Sequence, residues 1–327
     1  MRWRKKLGIG CGGLVMLFIL AAVAVWIWAP WVPPIVVTPP GVEGRRVNDG
    51  ALLGNYYPGR GGGKRPALLV LGGSEGGIGS GITKISKDLA RQGITVFNVS
   101  YFRAPGQPNK LEEIPLETFD RAIQWMRMQP EVAADRIGLL GGSKGAEAAL
   151  LIATRHPELR AVVATMPSSV VWAGVNWKTF ISHKSSWSLG GKPLDYLPLA
   201  SFDRKTISSV YRGVIAASDA REQAAIPIER IAAPVLLICG ENDAMWPSCP
   251  MARQVEARAG RSGHPKVTVL VYPNAGHAVF GAPVSPQRLA KSHLDSLGGT
   301  NVGNNAARAD SWRQTIGFLR KTLIQRF

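Results

Sequence analysis

Two pentapeptides of the form Gly-x-Ser-x-Gly stand in this sequence, Gly72-Gly73-Ser74-Glu75-Gly76 and Gly141-Gly142-Ser143-Lys144-Gly145. Each follows a short apolar run. A serine held on a sharp strand-to-helix turn presents its hydroxyl for nucleophilic attack. Gly141 and Gly145 would make room for such a turn, because a Cβ at either position crowds the neighbouring strand or helix. In a chain with 37 glycines the pattern alone says little, so its surroundings decide. If Ser74 were the nucleophile, no earlier strand-end loop would exist to complete an oxyanion hole. With Ser143 in that role, the 72–77 loop falls after the first core strand, where backbone N–H groups can face a developing oxyanion. The expected donors are the amides of Ser74 and Lys144.

A serine hydroxyl also needs a base. Of the five histidines, His277 follows the last expected strand in Asn274-Ala275-Gly276-His277, which puts it at the same carboxyl edge as Ser143. His264 precedes that strand, His156 sits near a helix end, His183 falls in an irregular stretch and His293 lies beyond. The orienting acid should follow the preceding strand, and Gly240-Glu241-Asn242-Asp243 supplies it. Asp243 is preferred because it stands farther past the strand end, with Glu241 as its competitor. The resulting chain order Ser, Asp, His suits attack on an acyl carbonyl through a covalent acyl-enzyme.

The three cysteines form no CxxC or Cys/His spacing, so neither a metal nor a cofactor is expected. Cys239 and Cys249 flank the Asp243 loop and could pair in an oxidising compartment; the sequence leaves that open.

To bring these side chains together the chain must supply strands and helices in alternation, and beyond Pro66 it does. Strands are expected at 67–71, 94–99, 136–140, 161–165, 234–239 and 267–272, with helices at 82–92, 116–128, 146–155, 251–258 and 306–324. Repeated βα winding implies a doubly wound, mostly parallel α/β sheet with helices on both faces, the α/β-hydrolase arrangement. Between about 167 and 233 the alternation breaks into a Trp-, Ser- and Gly-rich stretch, which reads as a cap inserted over the site. Its Trp172, Trp177 and Trp187 either line a substrate pocket or form the cap's own small core.

Residues 1–30 read as a membrane anchor. Arg2, Arg4, Lys5 and Lys6 precede 23 residues, Leu7 to Ala29, without a charge. As a helix these span about 34 Å, enough for a hydrocarbon core of about 30 Å. The basic end is expected on the cytoplasmic side, with Trp26, Trp28 and Trp31 at the far interface and the rest of the chain outside. Cleavage as a signal peptide near Ala22-Val23-Ala24 is the competing reading. Residues 31–65, with Pro30 just before them and five prolines and three consecutive glycines within them, read as a spacer with at most a short strand or two. That leaves 66–327 as the catalytic domain. The net charge of +17 fits solubility and proximity to an anionic membrane. Aromatic and basic residues do not interleave as a nucleic-acid platform requires, and no nucleic-acid partner is expected.

Several segments together resemble a known family. Leu139 to Glu147, Pro167 to Trp172, Gly240 to Asp243 with Trp246-Pro247-Ser248, Tyr272 to His277 and Ala309 to Trp312 are similar to the C-terminal catalytic domain of acyl-CoA thioesterases and bile-acid-CoA:amino-acid N-acyltransferase. That group belongs to the dienelactone-hydrolase-like α/β-hydrolases. The resemblance implies a small-molecule substrate, an acyl-CoA or acyl ester, and places Ser143, Asp243 and His277 at the family's catalytic positions. Its acyltransferase members carry cysteine where Ser143 stands, so the serine points to hydrolysis over transfer to an amine or alcohol. A non-catalytic binding module on the same fold is the remaining alternative.

Overall fold

The computed structural model describes residues 3–50, 52–179, 182–199, 207–217 and 221–324; the side chains of 3–11 and 217 fall outside it. In chain order the first elements are α1 (Trp3–Trp28), β1 (Arg45–Asp49), β2 (Leu52–Tyr57), β3 (Arg65–Leu71), α2 (Ser80–Arg91) and β4 (Thr95–Ser100). There follow β5 (Ile114–Pro115), α3 (Glu117–Arg127), β6 (Val132–Gly142), α4 (Lys144–Ala153) and β7 (Val162–Thr165). Then come β8 (Trp187–Leu189), β9 (Lys192–Pro193), α5 (Ile207–Ala217), β10 (Val235–Gly240), α6 (Ser248–Ser262) and β11 (Val267–Tyr272). Two helices, α7 (Pro286–Leu289) and α8 (Asn301–Leu319), close the described chain, with a further helical turn over Arg320–Ile324.

Eight strands make the main sheet in the order β1-β2-β4-β3-β6-β7-β10-β11. From β4 to β11 every neighbour is parallel, whereas β1, β2 and β4 pair antiparallel. Its central strands are continuous apolar runs because helices cover both faces. One face packs against α3, α4 and α6 through residues such as Phe119, Leu150 and Val255. The other packs against α2 and α8 through Leu89, Ala307 and Leu319. All ten residues of α4 are buried, so this helix is apolar nearly all round.

The main sheet starts earlier than the sequence suggests. Residues 31–65, read as a spacer with at most a short strand or two, hold β1 and β2, which extend the sheet, and Tyr56 and Tyr57 are fully buried in the two cores. Proline and glycine content signalled the turns and left the pairing of the short strands between them open.

The 167–233 insertion holds β8, β9 and α5, and part of it lies outside the described residues. Strands β8 and β9 join β5 in a second, three-stranded sheet. Trp172 forms a small core with Val170, Leu197, Trp246 and Met251, while Trp187 enters the main core.

Among the described residues no helix is long and apolar enough to cross a membrane. The expected anchor over 7–29 lies partly outside the described side chains. From residue 12 to residue 28, α1 is exposed throughout and carries no charged residue.

A disulfide joins Cys239 to Cys249, with Cα atoms 5.1 Å apart. It ties the end of β10 to the start of α6 and closes the loop that carries Asp243. A short-loop disulfide contributes about 2–4 kcal/mol. Replacing both cysteines by serine is therefore expected to lower the thermal midpoint by several degrees, read by circular dichroism. Reductant should reproduce that loss in the parent and leave the double variant unchanged; equal midpoints throughout would show that the bond carries no stability.

Candidate active site

Ser143 stands between β6 and α4 at φ 55°, ψ −120°, a region rarely open to a residue with a side chain. Its N–H donates to Thr165 O at 2.9 Å, which fixes the turn against β7. The turn needs both flanking glycines. A Cβ on Gly141 would lie 2.0 Å from Gly145 O, and one on Gly145 would lie 2.3 Å from Gly72 O.

The next acid and base on α4 form a buried lock. Lys144 Nζ reaches Glu147 Oε2 at 3.0 Å, Ser186 Oγ at 2.7 Å and Ala173 O at 3.1 Å. Glu147 Oε1 also accepts from Trp172 N at 3.1 Å and Trp187 Nε1 at 2.8 Å. Burial pushes the Glu147 carboxyl up and the Lys144 ammonium down, and each partner opposes the other's shift. All donors are matched, so the pair can remain charged while bolting the insertion to the first turn of α4. Trp172 and Trp187, open between pocket lining and a core of the insertion, are part of this lock, Trp172 in the small core and Trp187 in the main one.

Across from Ser143 lies the loop after β3. Among the described residues, neither Ser74 N–H nor Lys144 N–H donates to a backbone carbonyl. The carbonyls of the loop are spoken for. Tyr101 Oη donates to Gly72 O at 2.6 Å, and Trp177 Nε1 donates to Ser74 O at 2.7 Å. Burial lifts the Tyr101 hydroxyl well above the ordinary tyrosine range, so it stays a donor. These contacts fasten the peptide units of the loop through their carbonyls.

His277 Nδ1 lies 3.0 and 2.9 Å from the two Asp243 carboxylate oxygens. A carboxylate only accepts, so Nδ1 carries the proton and Nε2 presents its lone pair. Asp243 is 4% exposed, and its oxygens also accept from Met245 N, Trp246 N and Ser248 Oγ. Glu241, the competing acid, is turned to the surface and pairs with Arg253. Leu297 O ties both loops together by accepting from Ala244 N at 3.2 Å and His277 N at 3.1 Å. Gly298 fits only because a Cβ there would meet Asn242 O at 1.9 Å. Buried Asn304 donates to the carbonyls of Leu294, Gly298 and Thr300 and accepts from Gly276 N.

Ser143 and His277 face one cavity of about 450 Å³, whose walls include Ser74, Trp177, Met166, Met245, Phe280 and Arg308. No hydrogen bond joins the Ser143 hydroxyl to His277, although both line the cavity. Of the three expected pocket tryptophans, Trp177 alone lines the cavity.

A family model described as BAAT / acyl-CoA thioester hydrolase C terminal matches residues 114–325. The chain belongs to this family. An acyl-coenzyme A amino acid N-acyltransferase 1 of Mus musculus is 28% identical over 292 residues, covering 88% of this chain and 67% of its own. Acyl-coenzyme A thioesterase 5 of Mus musculus is 28% identical over 290 residues, covering 87% and 66% respectively. Mitochondrial acyl-coenzyme A thioesterase 2 of Rattus norvegicus is 28% identical, covering 87% and 61%. The chain thus spans about two thirds of the length of these relatives. The fold recurs in a dienelactone hydrolase-like promiscuous phosphotriesterase from metagenomic libraries, at TM-score 0.53 and 15% identity over 85% of this chain and 98% of that one. It also recurs in the acylaminoacyl peptidase of Pyrococcus horikoshii, at TM-score 0.56 and 12% identity over 87% and 42%.

Sequence reasoning overlooked Tyr101, Glu147, Asn304 and Arg308. Glu147 carried a readable signal, since it and Lys144 are charges three apart in a helix otherwise apolar. The other three had none, because their partners are distant carbonyls or cavity space. Glu147→Gln leaves the ammonium of Lys144 buried without its counter-charge, a change that costs about 3–5 kcal/mol. Urea unfolding monitored by tryptophan fluorescence should show that loss; an unchanged midpoint would mean the lock adds nothing to stability.

Proposed function

We propose that this family member is a serine hydrolase of acyl thioesters or carboxylic esters that works through an acyl-enzyme on Ser143. The observation that carries this reading is a strained Ser143 facing the same largely apolar cavity as a histidine already paired to a buried aspartate. In the reaction, Ser143 Oγ attacks the acyl carbonyl while His277 Nε2 takes its proton. The amides of Ser74 and Lys144 receive the oxyanion, an effect worth about 3 kcal/mol per donor. His277 then hands its proton to the leaving sulfur or oxygen, and water activated by the same imidazole releases the acid. Asp243 holds the imidazole in the tautomer this sequence of transfers requires. Serine at this position favours water as acceptor, and the resemblance to N-acyltransferases keeps transfer to an amine as the second reading.

The full chain, assayed against acyl-CoA and p-nitrophenyl ester series, should hydrolyse members of both and be labelled by a fluorophosphonate probe. Ser143→Ala should abolish turnover and labelling alike. Asp243→Asn should lower kcat by about 10⁴-fold with little change in KM. Labelling that persists in Ser143→Ala would place the nucleophile elsewhere and end this assignment.

The reading extends to location: α1 anchors the chain in a bilayer and the catalytic domain lies on the extracytoplasmic side. Support comes from the uncharged stretch 7–29 behind Arg2, Arg4, Lys5 and Lys6. Exposed apolar side chains such as Phe18, 77% exposed, and Ile27, 70% exposed, have no protein cover. The Cys239–Cys249 disulfide is at home in an oxidising compartment. Immediately after α1 the chain packs on the oxyanion side of the domain: Trp31 Nε1 donates to Lys178 O at 3.1 Å and Ile78 N donates to Val36 O at 2.7 Å. A bilayer holding α1 would therefore lie near the cavity mouth. After alkaline carbonate extraction the full chain should stay in the membrane pellet, and a chain lacking residues 1–29 should move to the supernatant. Release of the full chain, or an N-terminus found at residue 25 by mass spectrometry, would replace the anchor by a cleaved signal.

A further inference from the structure

Three basic side chains lie in or near the wall of the cavity, and they differ in how they are occupied. Lys84 is paired with Asp88 one helical turn away at 2.7 Å. Arg103, behind the oxyanion loop, spends its guanidinium on the carbonyls of Glu75 and Pro33. Arg308 lines the cavity itself and has no carboxylate within ion-pair distance among the described residues. Its Nε donates to Ala282 O at 3.0 Å. Neither terminal nitrogen has a hydrogen-bond partner among the described residues.

The surroundings hold this guanidinium in place. Arg308 projects from α8 into a loop, residues 281–284, whose backbone is fastened to the same helix by Asn305: Val284 N donates to Asn305 Oδ1 at 2.8 Å, and Asn305 Nδ2 donates to Val284 O at 3.0 Å. Gly281, at φ 125°, leaves the space that the group fills, since a Cβ there would come 2.6 Å from Nη2. Partial burial among Phe280, Ala282 and Leu297 works against the charged form and lowers the affinity of the group for its proton. A cation that is held rigidly, partly dehydrated and given no counter-charge is a poor structural element and a good receptor. The acid in the same cavity, Glu75, makes no ion pair with Arg308 and is engaged near Ser143, where its Oε1 accepts from Gly73 N at 3.2 Å.

We propose that Arg308 is the specificity-determining residue for a substrate that carries a negative charge away from its scissile carbonyl, received by the two terminal nitrogens of the guanidinium. The planar fork matches a carboxylate or a phosphate by paired hydrogen bonds. That chemistry can come from a terminal carboxylate on the acyl chain or from a phosphate on the leaving group. The inference rests on the hydrolase reading for its kinetic side alone; its binding side stands independently.

The test uses the full chain in detergent micelles and two pairs of substrates. Mono-p-nitrophenyl glutarate against p-nitrophenyl pentanoate places or removes a charge on the acyl chain. Butyryl-CoA against S-butyryl-pantetheine places or removes phosphate on the leaving group. In the parent, the charged member of one pair should be favoured in kcat/KM by about tenfold or more, as expected for a fork-to-anion contact. Arg308→Gln should abolish that preference while the neutral member stays within about twofold. Arg308→Lys should restore part of it, since charge is kept and the fork is lost. Which pair responds identifies the source of the anion. Calorimetric binding of the same four compounds to Ser143→Ala and to Ser143→Ala/Arg308→Gln gives a second reading that needs no turnover. If the parent hydrolyses none of them, the proposed reaction fails, and loss of the charged compound's binding advantage on removing Arg308 still upholds this inference. A preference that survives Arg308→Gln, a parallel fall of charged and neutral members, or no preference at all in either kinetics or binding overturns it.

Discussion

The site depends first on how closely α4 can approach the strands beneath it. Gly145 lies against the carbonyls of Leu71 and Gly72, and Gly141 lies against Gly145 itself, so the first turn of the helix sits directly on the ends of β3 and β6. That closeness forces Ser143 into its strained conformation and brings the amide of Lys144 to the loop that carries Ser74. Strain of this kind persists only where the surroundings overdetermine it. Here the buried Lys144–Glu147 pair does so, gripping two stretches of the insertion from the strained turn itself. The side chain of Lys144 thus secures the insertion to the turn.

A second assembly holds the acid and base. Asp243 and His277 arrive on loops after neighbouring parallel strands, and neither loop is rigid by its own composition. Leu297 O, the close-packed Gly298 and the buried amide of Asn304 draw the two together from a third segment that precedes α8. The disulfide from Cys239 to Cys249 closes the Asp243 loop from its other side. The arrangement leaves the carboxylate fully supplied with donors, so its hydrogen bond to the imidazole is one of several that agree on a single position.

The cavity between these assemblies is largely apolar, bounded by Met166, Met245, Phe280 and Trp177, with Glu75, Lys84 and Arg308 as charged exceptions. An acyl chain suits such walls. The chain following α1 packs against residue 78, just beyond the loop after β3, and against Lys178 in the insertion.

The sequence by itself determined the alternation of strands and helices and the placing of Ser143, Asp243 and His277 just after β6, β10 and β11. Those features are local: apolar period, glycine spacing and position after a strand are all written in consecutive residues. The short strands allowed for in 31–65 carried no sign of their partners, and the tertiary structure alone joined them to the sheet. Only that structure decided that Trp172 and Trp187 support the site from within the core while Trp177 faces the cavity, because a tryptophan's neighbours are set by packing across segments far apart in the chain. The same holds for Tyr101, Asn304 and Arg308, whose roles come from carbonyls and empty space that no run of residues encodes. Period and turn chemistry act over a few residues, whereas burial, hydrogen-bond partnership and the charge left unmatched in a cavity exist only once the chain has closed on itself.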